Sequence, residues 1–260
     1  MAVTKRIALA FTLINVIAHG AKLIVEACDG HSNHADHFHR QDETVQEGRN
    51  LIEFIRRDDY SWSTEKEFQK VGARCMTPNA DDDDIAEMSR IVENWTQQPV
   101  DLRFEVLKIP LYIHVMENED GDGAVSDVQI KDQVDAMNAA FGPDIQYVLQ
   151  EKIVTVNNGW HRCELGKNER DMKNELRRGG SETLNIYLCE PIGGLLGWAT
   201  LPTKYQRDPT YDGVVAHTES IPGGQLAPYN LGYTAVHEAG HWLGLRHTFQ
   251  VRLLLQNYTA

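Results

Sequence analysis

Residues 235–247 read Ala235-Val236-His237-Glu238-Ala239-Gly240-His241-Trp242-Leu243-Gly244-Leu245-Arg246-His247. On a helix, side chains four residues apart share a face, so His237 and His241 can offer imidazole nitrogens to one ion. Glu238 lies one step along, about 100° round the helix, within reach of a metal-bound water without being a ligand. Gly244 accepts the positive φ that ends a helix and turns the chain back, so His247 can supply a third nitrogen. Three neutral nitrogens plus water make an open catalytic zinc site. In such a site the ion acidifies the water and Glu238 takes the proton as general base. The first two histidines alone are a weak signal; the glycine and third histidine at fixed offsets are far more specific.

Outward from this helix, residues 106–250 read as a compact α/β domain. Val106–Val115 alternates as a strand, with Pro110 suggesting a sheet edge or a bulge. Ser126-Asp127-Val128-Gln129 is a capping box that opens a helix with Ile130, Val134, Met137 and Phe141 on one face. Ile145–Val156 is strand-like, Arg170–Arg178 is a short helix with a glycine stop, and 183–189, 195–201 and 213–218 are further strands. The zinc helix is expected to begin near Tyr229-Asn230. Asn118–Ser126 imitates an EF-hand loop, but Gln129 stands where a bidentate Glu belongs and a strand precedes it. A plain acidic strand-to-helix loop is the favoured reading.

The remainder is different in character. The chain carries 25 Lys+Arg against 38 Asp+Glu, a net charge of −13, which speaks against a nucleic-acid partner. The acidic excess is densest over 28–105, where Asp81–Asp84 stands ahead of Ile85, Met88, Ile91, Val92 and Trp95 at helical spacing. Lys5-Arg6 followed by apolar Ile7–Ala18 and small residues at Ala18 and Gly20 reads as a secretory signal peptide over 1–20, with Ala27 a second cleavage candidate. The alternative is an ordinary buried helix. The uncharged run Ile7–Ala21 is too short to span a membrane. Secretion permits disulfides, and Cys28, Cys75, Cys163 and Cys189 allow three full pairings that spacing does not separate. Asn94-Trp95-Thr96 and Asn257-Tyr258-Thr259 are glycosylation sequons. His31, His34, His37 and His39 read as part of a solvated leader, with loose metal binding as the sharper alternative.

The zinc stretch resembles the extended motif of the metzincin metallopeptidases. Its flanks narrow the likeness: Gly193–Pro202, Asp212-Gly213-Val214-Val215, Ile221-Pro222-Gly223-Gly224, Ala227–Gly232, His247–Gln250 and Val125–Ile130. Together they are similar to the pappalysin-type family, above all its secreted fungal extracellular metalloproteases, over residues 74–250. The resemblance implies a secreted, extracellular endopeptidase acting on protein or peptide substrates. Its Zn2+ would be held by His237, His241 and His247, with Glu238 catalytic. The implied fold is α/β (α+β), a metzincin-like upper subdomain with a twisted mixed five-stranded sheet and two long helices. Leu195, Leu196, Gly197, Trp198 and Ala199 would form the edge strand along which an extended peptide pairs. Arg74-Cys75-Met76-Thr77 is similar to the family's Arg-Cys-Gly-Thr propeptide segment, with Met76 in place of Gly, and implies that Cys75 is a cysteine switch holding a zymogen latent. A disulfide between Cys75 and Cys28 is the alternative. Cys163 and Cys189 would then pair. The implied divisions are a signal peptide over 1–20, a propeptide-like leader over 21–105, a catalytic domain over 106–250 and an aberrant tail over 251–260.

The likeness stops after Gln250, and no methionine follows His247 to form the family's Met-turn. The expectation is therefore a chain lacking the lower subdomain. It would bind zinc, leave Trp242, Leu243 and Leu245 without their usual cover, and hydrolyse little. Two further readings stay open: a zinc-binding but catalytically incompetent fragment, and a non-enzymatic secreted metal-binding protein. Nothing in the sequence fixes an oligomeric state.

Overall fold

The structure, a computed structural model, describes residues 75–78, 81–96, 106–143 and 145–246. The expected signal segment, Cys28, the four leader histidines, the third ligand His247 and the tail 251–260 lie outside the described residues.

Five strands form one sheet in the order β2-β1-β3-β5-β4. They are β1 (Leu107–Glu117), β2 (Ile145–Val156), β3 (Leu184–Cys189), β4 (Gly197–Ala199) and β5 (Val214–His217). The neighbours β2, β1, β3 and β5 run parallel, and only β4 is antiparallel. The mixed five-stranded sheet is as expected. Its central strand β3 reads Leu-Asn-Ile-Tyr-Leu-Cys and is buried at every position, as a strand covered on both faces must be.

Pro110 gives a correction. Strand β1 is interior, between β2 and β3, and not an edge. Pairing with β3 begins only at Leu111, so the missing amide of Pro110 falls before that ladder starts, and the register against β2 shifts between Leu111 and Tyr112. The bulge was legible and the edge position was not.

Helices α1 (Asp82–Thr96), α2 (Asp127–Phe141), α3 (Asn158–His161), α4 (Lys167–Leu176) and α5 (Tyr233–Leu243) flank the sheet. Helix α2 begins at the Ser126 capping box, with Gln129 reciprocating, and buries Ile130, Val134, Met137 and Phe141. Those side chains join Ile109, Leu111, Ile113, Leu184, Ile186 and the inward face of α5 in one apolar cluster. A second cluster holds Met116, Cys163, Met172, Leu176, Tyr187, Cys189 and Trp198. It contains the Cys163–Cys189 disulfide, whose Cα atoms are 6.0 Å apart.

Trp242 and Leu243 are fully buried, and Leu245 packs against the first cluster. The expectation of an uncovered underside is therefore wrong for them, because the same turns of α5 that carry the histidines also lie on the sheet and on α2. The acidic loop after β1 is a strand-to-helix connection closed on itself. Asn118 Oδ1 accepts from the amides of Asp120 and Asp122 at 3.0 and 2.8 Å. Among the described residues no helix is long and apolar enough to cross a membrane.

Candidate metal centre

Helix α5 starts at Tyr233, later than the sequence suggests, because the chain before it is committed to a loop. The amide of Gln225 donates to Glu219 Oε2 at 2.6 Å, and Asn230 Nδ2 donates to the Gly224 carbonyl at 2.8 Å. Gly232 then enters the helix at φ 84. The fully buried Gln133 of α2 donates to its carbonyl at 3.1 Å, tying the start of the helix to the core.

At the other end Gly244 adopts φ 105. Its amide donates to the His241 carbonyl and that of Leu245 to the Gly240 carbonyl, the paired bonds of a Schellman stop. This turn brings the Leu245 carbonyl to 2.8 Å from His241 Nδ1. With Nδ1 so engaged, Nε2 is the nitrogen presented for ligation, the usual outer-shell device of a metal-binding histidine. His241 Nε2 lies 2.8 Å from His237 Nε2, with the rings nearly perpendicular at 86°. Both histidines are buried.

One ligating atom each from Cys75, His237, Glu238 and His241 falls within 4.8 Å of all the others. A thiolate and two imidazoles are a donor set suited to zinc, so these residues fit the ion that the sequence implies. Burial raises the pKa of Glu238 well above the carboxylate range. The charge of Cys75 adds to this, and the Thr77 hydrogen bond opposes it. Burial pulls His241 down, but hydrogen bonding and charge from Cys75, with the Leu245 carbonyl, leave it raised.

Cys75 reaches this centre because the segment Cys75–Pro78 lies along β4. Cys75 and Gly197 form a parallel bridge, and the Met76 amide donates to the Gly197 carbonyl at 3.0 Å. A continuing parallel ladder would take the Ala199 amide to the carbonyl of residue 76 and need an amide at 78. Pro78 has none. The Ala199 amide instead donates to Thr77 Oγ1 at 2.8 Å, and that hydroxyl donates to Glu238 Oε2 at 2.7 Å. Met76, which stands where the resembling family has glycine, packs its side chain against the second cluster. Its bulk is thereby accommodated away from the histidines.

The expected strand 195–201, and within it the expected substrate strand Leu195–Ala199, is shorter in the structure. Only Gly197, Trp198 and Ala199 are strand, although Leu196 already accepts from the His217 amide at 2.7 Å. Leu195 and Leu196 are buried and precede it. A Cβ on Gly197 would lie 2.6 Å from the Val215 carbonyl oxygen of β5 and 3.1 Å from Glu238 Cγ, so a side chain here is barred by the neighbouring strand and crowds the helix. Sequence reasoning did not single out Thr77, Glu169 or Asp212, all of which the structure brings to this region. Thr77 and Asp212 lay inside quoted motifs, and Glu169 and Lys173 stand four apart on α4.

Over 150 residues the chain is 39% identical to extracellular metalloprotease 1 of Coccidioides posadasii, covering 55% of this chain and 53% of that protein. Over 147 residues it is 42% identical to an extracellular metalloprotease of Verticillium alfalfae, covering 54% and 52%. Among solved structures, a promirolysin mutant of Tannerella forsythia is 24% identical with a TM-score of 0.48, covering 72% of this chain and 69% of that one. No family model matches. The chain spans about half the length of the curated relatives it matches. The resemblance to secreted fungal extracellular metalloproteases is borne out by these homologues.

Proposed function

We propose, from this homology to fungal extracellular metalloproteases, that the chain is the latent form of a secreted, zinc-dependent endopeptidase acting on protein or peptide substrates. The observation that carries this reading is the convergence of Cys75, His237, Glu238 and His241 within 4.8 Å, joining a leader segment to a helix some 160 residues later. His237 and His241 hold the ion, with His247, outside the described residues, as the third nitrogen ligand. Zinc, when bound, supplies a Lewis acid that acidifies water and polarises a peptide carbonyl.

The protein's own groups do the rest. Glu238 stands beside the ligands on the next helical position and moves the proton from the attacking water to the leaving amine. Strand β4 offers the Gly197 carbonyl and the Ala199 amide to an extended peptide, two groups that the leader engages in this structure. Cys75 occupies the metal side of the site, and Thr77 covers the base. Activation in this scheme is withdrawal of Cys75–Pro78, which releases the thiolate, the strand edge and Glu238 together.

The test is cleavage of casein by the secreted chain after removal of the leader, with and without a chelator. Chelator-sensitive hydrolysis that falls by about 10² or more in Glu238→Ala, at unchanged zinc content, supports the assignment. Hydrolysis indifferent to both the chelator and the substitution overturns it.

A further inference from the structure

Behind the centre, two buried carboxylates, Glu169 on α4 and Asp212 just before β5, each hold the indole of one tryptophan. Trp198, the middle residue of β4, donates from Nε1 to Glu169 Oε1 at 2.7 Å. Trp242, directly after the ligand His241, donates from Nε1 to Asp212 Oδ1 at 3.1 Å. Both carboxylates are fully buried and each has its own cation, one from α4 and one from the residue that ends it. Lys173 Nζ lies 2.7 Å from Glu169 Oε1, with neither side chain exposed. Arg177, one residue beyond α4, lies 3.2 Å from Asp212 Oδ2. The two anchors are also linked through Tyr211. Tyr211 donates its hydroxyl to Glu169 Oε2, its carbonyl accepts from Lys173 Nζ at 3.1 Å, and its neighbour is Asp212.

Burying two ion pairs is costly and seldom stabilises a core better than apolar side chains would. What the arrangement provides is position. Strand β4 pairs with β5 over only three residues, too little to fix its height above α5. At Gly197 the same strand sits close against Glu238, where an added methyl group would lie 3.1 Å from the Glu238 Cγ. A strand so short needs a second attachment, and the Trp198 indole supplies it from the far face. The Trp242 indole fixes the helix from below by the same means.

We propose that Glu169 and Asp212 are positioning residues that together set the gap between β4 and the metal-binding helix α5, with Lys173 and Arg177 holding their charge. The inference rests on reading β4 and α5 as the two walls of the peptide-binding site. It goes beyond that reading by assigning the spacing of the walls to two carboxylates outside the ligand set, one on α4 and one in the turn before β5.

The experiment is hydrogen–deuterium exchange across residues 197–201 of the full chain, well below the melting temperature. Trp198→Phe keeps the ring and both ion pairs and removes only the indole donor, so it should fold. Its strand amides should exchange about tenfold faster, the equivalent of one hydrogen bond to a charged acceptor. Glu169→Gln retains an acceptor for the indole and should hold exchange near the parent rate, whereas Glu169→Leu should match or exceed Trp198→Phe. Trp242→Phe should also deprotect residues 197–201. Met137→Ala, which opens the first core cluster while leaving both carboxylates and both indoles in place, should lower the melting temperature without this local change. Parent-like exchange in Trp198→Phe, or equal deprotection by Met137→Ala, would overturn the assignment. Zinc content of the parent, measured alongside, judges the functional reading separately: its absence removes the enzyme and leaves the exchange comparison decisive for the anchors.

Discussion

Thr77 and Glu238 lie 161 residues apart in sequence and share a 2.7 Å hydrogen bond from the threonine hydroxyl to the carboxylate. The same hydroxyl accepts from the Ala199 amide at 2.8 Å, so one small side chain joins the Cys75–Pro78 segment, the edge strand and Glu238. Thr77→Val keeps the shape and β-branching but leaves a buried carboxylate and a buried amide without that partner. The leader should dock more weakly by about 2 kcal/mol, the cost of an unmet bond to a charged group. Alkylation of Cys75 by iodoacetamide, read by peptide mass spectrometry, should quicken correspondingly, and Thr77→Ser should restore protection. Equal rates in all three forms would show that the hydroxyl contributes nothing to latency.

Gly197 packs tightly between β5 and α5. A methyl group there meets the Val215 carbonyl at 2.6 Å, and that atom belongs to the paired neighbouring strand. Gly197→Ala should therefore cost about 1–3 kcal/mol through overpacking, seen as a lower midpoint in urea. An unchanged midpoint would mean that the strand yields freely.

His114, buried in β1, gives a pH dependence of definite sign. Burial holds its pKa down at about 4, against 6.5 unfolded. The 3.0 Å bond to Asn185 opposes this, and the charge of Arg178 adds to it. Between those values the unfolded chain binds the proton and the native chain does not, so stability falls as pH is lowered from 6.5 towards 4. The loss attributable to His114 is about 3 kcal/mol at its limit. His114→Gln can keep a bond to Asn185 without titrating and should flatten the acid limb of a stability–pH curve by about one proton. A limb of the same slope in that variant would assign the acid sensitivity elsewhere.

Local signals carried much of the fold. The Ser126–Gln129 capping box and the spacing of Ile130, Val134, Met137 and Phe141 located α2 to within a residue, because caps and amphipathic faces are written in adjacent positions. Gly244 marked the end of α5 for the same reason. Less local features were misread. Pro110 suggested an edge because a sequence does not show how far each neighbouring ladder extends. The expected strand 195–201 shrank to three residues because Gly193 and Gly194 take positive φ before it and Pro202 opens a turn after it. Trp242 and Leu243 were expected to be bare; their burial depends on the sheet beneath the helix. At the centre itself, His237, Glu238 and His241 were legible from spacing alone. Thr77, Glu169 and Asp212 were not, since each acts on a partner between 29 and 161 residues away and has no spacing rule to betray it.

Metal content decides most directly whether the His237–His241 face is what its geometry indicates. The full chain, purified without added chelator and dialysed against metal-free buffer, should retain one tightly bound zinc by elemental analysis. His241→Ala, which removes a proposed ligand while leaving the Gly244 stop in place, should lose it. Glu238→Gln, altering the proposed general base, should keep it. A parent chain without zinc, or a His241→Ala chain that holds zinc as tightly as the parent, would contradict the assignment of the metal centre.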